Sequence, residues 1–417
     1  MSRTAVLRKA DILILTIVAL CIRLVWVRWG TWETPDGAEY LQLARNLARY
    51  GTFGVDGMVP TCFRAPLYPA LISLLWTVSR APVSNVLLLQ AVLGAATAGM
   101  TYQIAHDRWN RSVALTAGVL FAVAPMSSRY VATVLTETLF TFLVTLGVLC
   151  WGRGRHIATG VAFGLAALTR PALLPFILLL CPMALVSSLR SRLGIHRIVL
   201  SALAVLSFWT VRNAVLFSRL VPVAEGGWGL SLFLGTIPIH LGANPFVQVD
   251  PEWSALDKAI GKDGPSADSM VKERAAMRLG LERIRHSPLQ WIEARATQYP
   301  RLFIDTGEYL LPADGQAAWK AGRPLVIVTK TGFALGNLAV VLFALLGLYA
   351  ARWRLLSIAH IWLFPVYLTA VYVPMWIESR YGLPMMPMMF VLAAAVAAAI
   401  AQRFGGGWLL IGSHDAL

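Results

Sequence analysis

Long apolar runs separated by short basic connections make up most of this chain, and two polar intervals interrupt them. The apolar runs lie near Ile12–Trp29, Val86–Ala105, Ser112–Pro125, Val131–Trp151, Ile157–Thr169, Ala172–Leu189 and Ile198–Phe217. After a long polar stretch come Thr331–Ala350, Leu355–Pro374 and Leu383–Ala401. An α-helix needs about 20 apolar residues to cross the hydrocarbon core, so the pattern predicts about ten spans, the third and fifth being short. The expected fold is an all-α polytopic membrane protein with one transmembrane domain over residues 1–417 and no separate soluble domain.

The two polar intervals, residues 30–82 and 218–328, carry patterns of their own. From Asp36 onward Ala38, Leu41, Leu43, Ala44, Leu47 and Ala48 recur at roughly helical spacing with charges between them. That predicts a helix lying on a membrane surface, with Asp36 in its first turn just after Pro35. Leu67–Val78 is too short to cross and should lie in the interface or re-enter shallowly. In the second interval a helix is expected from about Asp268 to Arg285, with Met270, Ala275, Met277, Leu279 and Ile284 as its buried stripe. The segment His286-Ser287-Pro288 breaks it, and Leu289–Phe303 resumes.

Composition agrees: 57% of the 417 residues are hydrophobic and 14% charged, with a mean hydropathy of +0.65. The first run is followed by no small-residue cleavage site and is expected to stay as a span. A net charge of +15 would suit a nucleic-acid partner, but the charges are scattered through short loops, so membrane topology accounts for them and no nucleic acid is expected. With the N-terminus in the cytoplasm, Arg3, Arg8, Lys9, Arg108, Arg111, Arg153, Arg155, Arg190, Arg192, Arg197, Arg352, Arg354 and Arg403 all fall on the cytoplasmic side. The short loops opposite hold only Arg129, Arg170 and Arg380. That bias is the positive-inside signature; it places both termini in the cytoplasm and both long intervals outside. Cys21, Cys150 and Cys181 fall in apolar runs, leaving Cys62 alone in a loop, so no disulfide framework is expected. The seven histidines show no metal-ligand spacing.

Some charges sit where lipid should make them costly. Glu137 lies some six residues into the fourth run, between Thr136 and Thr138, and must face a polar cavity or pair with a cation. Arg170, Arg212 and Arg380 lie at span ends on the outer side. Each could instead snorkel to lipid phosphates, and for Arg23, inside the first run, snorkelling is the expectation.

The first interval also carries a family resemblance. An acid in the first helical turn, Tyr40, Ala44-Arg45, Leu47, Gly51, Gly54 and then Arg64-Ala65-Pro66-Leu67-Tyr68-Pro69 resemble the first extracytoplasmic loop of GT-C glycosyltransferases. Within that class the loop is most similar to the family 39 group of protein O-mannosyltransferases and lipid A aminoarabinose transferases. Further stretches are similar to the family: LTRPALLPF at Arg170, FWTVRNAVLFSRLVPV at Arg212 followed by Gly226-Gly227, and SRYGLPMMP at Arg380-Tyr381. The resemblance implies a GT-C bundle with amphipathic helices in both outer loops. It implies that Asp36 is catalytic, with Glu137 a second acid near the reaction centre. Protein O-mannosyltransferases usually follow the loop acid with a second one; here Gly37 takes that place, and Glu39 stands two positions on.

The expected substrate follows from the side of the membrane. Nucleotide sugars are absent outside, so an activated sugar must arrive on a polyprenyl phosphate. Arg64, Arg170, Arg212, Arg380 and Tyr381 are the candidates for binding the donor phosphate, since guanidinium groups hold phosphate bidentately and stabilise charge as it grows. Asp36 would accept the proton of the acceptor hydroxyl, which with no covalent sugar–enzyme intermediate predicts inversion. Glu39, Tyr40 and Tyr68 are candidates for contacting substrate. Expected partners are a polyprenyl-phosphate-linked sugar, membrane lipids and a lipid, glycan or protein acceptor. No cofactor is assigned; a carboxylate-bound divalent cation beside the phosphate would leave no spacing signature. The Arg-, Ala- and Trp-rich composition suits a bacterial plasma (inner) membrane. A transporter or flippase of a lipid-linked or small polar substrate is the alternative, although no inverted repeat is visible.

Overall fold

The computed structural model describes residues 3–29, 34–57, 59–79, 82–187, 193–238, 245–260, 269–304 and 324–404. Among them every regular element is helical. In chain order the helices are α1 (Arg3–Trp29), α2 (Pro35–Tyr50), α3 (Leu67–Val78), α4 (Pro82–His106), α5 (Arg111–Val123), α6 (Pro125–Arg129), α7 (Glu137–Gly152), α8 (His156–Thr169) and α9 (Leu174–Leu185). They continue with α10 (Ile195–Phe217), α11 (Trp228–Leu234), α12 (Pro245–Ile260), α13 (Ser269–His286), α14 (Pro288–Gln298), α15 (Pro324–Ala350), α16 (Ala359–Val371) and α17 (Met386–Phe404).

Every apolar run read from the sequence became a helix, but not all at full length. Five helices among the described residues are long and apolar enough to cross a membrane, six if the pair bent by 53° at residue 124 counts as one. Helices α7, α8, α9 and α16 have 16, 14, 12 and 13 residues. One of the short ones is held by close packing. On α8, Gly160 and Gly164 bring its backbone against α10, where an added Cβ at Gly160 would lie 2.2 Å from the Ile198 carbonyl oxygen. Small residues four apart allow this approach between apolar helices. At one end of the bundle, Asp11 accepts from Arg111 Nε and Nη2 at 2.7 Å, and Asp107 holds Arg8 at 2.8 Å and Arg153 at 2.6 Å. These pairs tie α1, α4, α5 and the end of α7 together.

Two expectations are corrected. Arg23 does not snorkel: its side chain is fully buried. Its guanidinium donates to the carbonyls of Ala19, Ala122 and Phe121 and to Ser127 Oγ at 3.1–3.4 Å. It therefore satisfies the carbonyls left free where α5 breaks, a cost lipid would not otherwise allow. Second, the fourth run does not begin its helix at Val131. Residues 130–132 form a 3-10 turn, and α7 starts at Glu137 itself. Gln90 of α4 makes this non-helical stretch possible, since its Nε2 donates to the carbonyls of Val131 at 2.9 Å and Thr133 at 2.8 Å. Glu137 is thus at a helix start, not a turn and a half inside a span.

The described parts of the two polar intervals fold as helices packed on the bundle. Thr34 caps α2 by accepting from the Gly37 amide, and Gly51 ends it in the left-handed region (φ 67°). Tyr40, Leu43 and Ala44 are buried, whereas Ala38 is exposed, so the buried face is rotated from the expected stripe. On α13 the buried centre is Glu273, Ala276 and Gly280, flanked by half-buried Ala275, Met277 and Leu279. Glu273 was absent from the expected stripe because it is charged; it accepts from the Gly229 and Leu230 amides at the start of α11.

Candidate active site

Five separate parts of the chain meet where α2 and α7 begin and α8 ends. Asp36 comes from the first turn of α2, and Arg64 from the turn before α3. Glu137 opens α7, Arg170 follows α8, and Arg380 with Tyr381 lies on a 3-10 segment, Ser379–Met385, leading into α17. Together they line a cavity of about 170 Å³, whose wall also includes Tyr40, Trp228 and Tyr372.

The charges interlock. Arg64 Nη2 lies 2.9 Å from Asp36 Oδ1 and 2.6 Å from Glu39 Oε2. Arg380 Nη2 donates to Asp36 Oδ2 at 3.3 Å, and its Nη1 lies 3.5 Å from Glu137 Oε1. Arg170 Nη1 donates to that same Glu137 oxygen at 2.7 Å. Burial alone would push the Asp36 carboxyl up, but Arg64 and Arg380 outweigh it and hold the group below the usual carboxylate range. Glu137 is almost wholly buried, and its Oε2 accepts no hydrogen bond from the described residues. Aromatic faces steady the cations: Arg170 lies 5.1 Å over Tyr381 and Arg64 5.5 Å over Tyr40.

Not every candidate joins this cluster. Arg212 stands apart from the cavity: it donates to the Thr61 carbonyl at 2.9 Å and lies 4.4 Å over the Trp209 ring. Tyr68 is buried and does not line the cavity either. Its hydroxyl donates to Gln90 Oε1 at 2.8 Å, which orients the amide that holds the stretch before Glu137. Glu39 reaches the site only through Arg64. One participant was missed: Glu378, whose Oε2 lies 2.7 Å from Arg380 Nε and whose Oε1 accepts from Tyr381. Its signal was a second charge two positions before Arg380 at the edge of an apolar run.

Gly37 has a steric reason. A Cβ there would stand 2.8 Å from the Val134 carbonyl oxygen, so α2 packs on the backbone that leads to Glu137 and no side chain fits. Among the described residues no group of three or more His, Cys, Asp or Glu is placed to hold a metal ion; the acids here face guanidinium groups instead.

No protein-family profile and no curated protein sequence matches the chain. Solved structures do. The archaeal oligosaccharyltransferase AglB from Archaeoglobus fulgidus, in complex with an inhibitory peptide and a dolichol-phosphate, superposes with a TM-score of 0.54 over 97% of this chain at 12% identity. The apo form of the Archaeoglobus fulgidus oligosaccharyltransferase gives 0.53 over 95%. The chain spans about half the length of these proteins, 51% in both cases. ArnT from Cupriavidus metallidurans in the apo state aligns over 95% of this chain and 80% of its own, at 16% identity and a TM-score of 0.40. The chain thus shares the fold of the oligosaccharyltransferase structures, the GT-C fold that its motifs resemble.

Proposed function

We propose that this protein is a glycosyltransferase that moves a sugar from a polyprenyl-phosphate-linked donor to an acceptor hydroxyl at the outer face of a bacterial plasma membrane. One observation carries the reading: a carboxylate, Asp36, sits in a cavity between two arginines from distant parts of the chain. In the proposed reaction the acceptor oxygen attacks the anomeric carbon as the bond from that carbon to the phosphate oxygen breaks. The hydroxyl proton passes to Asp36, and the polyprenyl phosphate leaves as a monoester with one more negative charge. Arg64, Arg170 and Arg380 stabilise that growing charge as guanidinium groups fixed in advance by the fold. One attack with no covalent intermediate inverts the anomeric centre. Glu137 holds Arg170 and Arg380 in place and offers Oε2 to a sugar hydroxyl. Around this site we place about ten apolar segments as membrane-crossing or half-crossing helices, both termini in the cytoplasm, and the helices of 30–82 and 218–328 at the outer interface.

The dolichol-phosphate in the AglB complex supports a lipid-linked donor for a protein of this fold. The placing of Asp36, Glu137 and their arginine partners at helix ends disfavours a transport pathway, which would set such a group near mid-membrane. The test is reconstitution of the full chain in vesicles with a polyprenyl-phosphate sugar, followed by mass spectrometry of the lipid. Release of polyprenyl phosphate with sugar appearing on an acceptor supports the transferase. Intact donor moved to the opposite leaflet would replace it with a flippase.

A further inference from the structure

At the end of α8 remote from Arg170, a second cavity opens between α7, α8 and the start of α10. Its volume is about 780 Å³, larger than the candidate active site. Its walls are apolar, with Leu143, Leu146, Val161 and Leu165 among them, and its rim carries Arg155 and Arg197. Both arginines are exposed, and neither pairs with a carboxylate among the described residues. Neighbouring Arg153 differs, because Asp107 neutralises it at 2.6 Å. The lack of a counter-charge is built into the sequence: no Asp or Glu occurs anywhere between Glu137 and Glu225. The two helices are locked together at this rim, since His156 packs against the Gly194 backbone so closely that an added Cβ would meet its ring at 2.2 Å. The backbone segments that carry the two arginines are therefore held together.

We propose that this groove is a binding site for one anionic phospholipid, with an acyl chain along Leu143, Leu146, Val161 and Leu165 and the headgroup phosphate between Arg155 and Arg197. An apolar slot that ends in unneutralised arginines matches an amphiphile with a negative head and is a poor match for a zwitterionic one. Basic pockets between helices recognise anionic lipid headgroups in this way. The site is separate from the transfer chemistry and does not depend on it. Because α8 carries Arg170 at its other end, a lipid seated here also braces the helix that presents that residue.

The experiment is native mass spectrometry of the full chain in detergent, titrated with phosphatidylglycerol or phosphatidylcholine. Wild type should retain phosphatidylglycerol in preference to phosphatidylcholine. R155A/R197A should weaken phosphatidylglycerol retention roughly thirtyfold, the effect of two surface arginines, to the level of phosphatidylcholine. R155K/R197K should keep most of the preference, and A158W, which fills the slot without touching charge, should lower retention of both lipids. Equal retention of the two lipids by wild type, or unchanged phosphatidylglycerol retention by R155A/R197A, would overturn the proposal. So would displacement of the lipid by inorganic phosphate at the same concentration, which would mark the rim as a simple anion site. Monodispersity and melting temperature of each variant separate lost binding from lost fold.

Discussion

Arg380 reaches Asp36 across 344 positions of sequence and donates to its Oδ2, while Arg64 donates to Oδ1 at 2.9 Å. Both oxygens of the proposed base are thus covered by guanidinium groups, and a carboxylate so held is ionised but a weak proton acceptor. A donor phosphate would compete for the same guanidinium groups, loosen them from Asp36 and raise its basicity. The expected kinetics are ordered, donor before acceptor. An unreactive acceptor analogue should be uncompetitive against donor; a noncompetitive pattern would mean that acceptor binds the donor-free site.

Replacing Asp36 by Asn keeps the shape and removes the proton acceptor. Turnover should fall about 10²–10⁴-fold, the usual worth of a positioned general base. Donor affinity, measured by retention of labelled polyprenyl-phosphate sugar, should hold or rise, because a carboxylate competing with phosphate is gone. Turnover within threefold of wild type would remove Asp36 from the chemistry.

The same pairing makes a pH statement with a fixed sign. The folded pKa of Asp36 lies below its ordinary value, so its contribution to stability is complete above the unfolded value of about 3.9 and is lost as pH falls through the lower folded value. Asp36→Asn should therefore melt below wild type at pH 7, and the gap should close as pH drops under about 4. A gap that stays constant with pH would show that the arginines do not favour the ionised form.

Gly37 offers a purely steric check. Gly37→Asp would set a second acid beside Asp36, yet its Cβ would press on the Val134 carbonyl and on Thr34 Oγ1, at 2.8 and 2.9 Å. A backbone oxygen cannot swing aside cheaply, so a loss of about 1–3 kcal/mol is expected, read as a lower melting temperature. An unchanged melting temperature would show that α2 can lift from the 131–136 segment.

How much of this was visible beforehand divides along the reach of the interactions. Asp36, its capped helix and Arg64 fall within one stretch, where local spacing carries the signal. Arg380 and Arg170 could be flagged as charges in apolar surroundings, but their shared partner Glu137 depends on chain closure that spacing cannot encode. The start of α7 was misplaced because Val131–Thr136 is apolar enough to continue a helix. What stops it is Gln90, a residue of another helix, bonding to the free carbonyls. Arg212 and Tyr68 sit in family-like motifs, and their contacts tie the chain together away from the cavity.

Arg212 and Arg380 accordingly make a matched pair of arginines with opposite expectations. Arg212→Ala removes a stacked cation from Trp209 and a bond to the Thr61 carbonyl, both away from the cavity. It should cost about 1–3 kcal/mol of stability and leave the KM for donor near wild type. Arg380→Ala removes a cation shared by Asp36, Glu137 and Glu378, leaving their negative charge less compensated beside the proposed phosphate site. Its KM for donor should rise roughly tenfold to a hundredfold, the worth of a charge-assisted hydrogen bond. Steady-state kinetics on both variants, with melting temperatures alongside, decide between a fold role and a substrate role. Equal rises in KM would bring Arg212 into the donor site; an unchanged KM for Arg380→Ala would take the phosphate away from it.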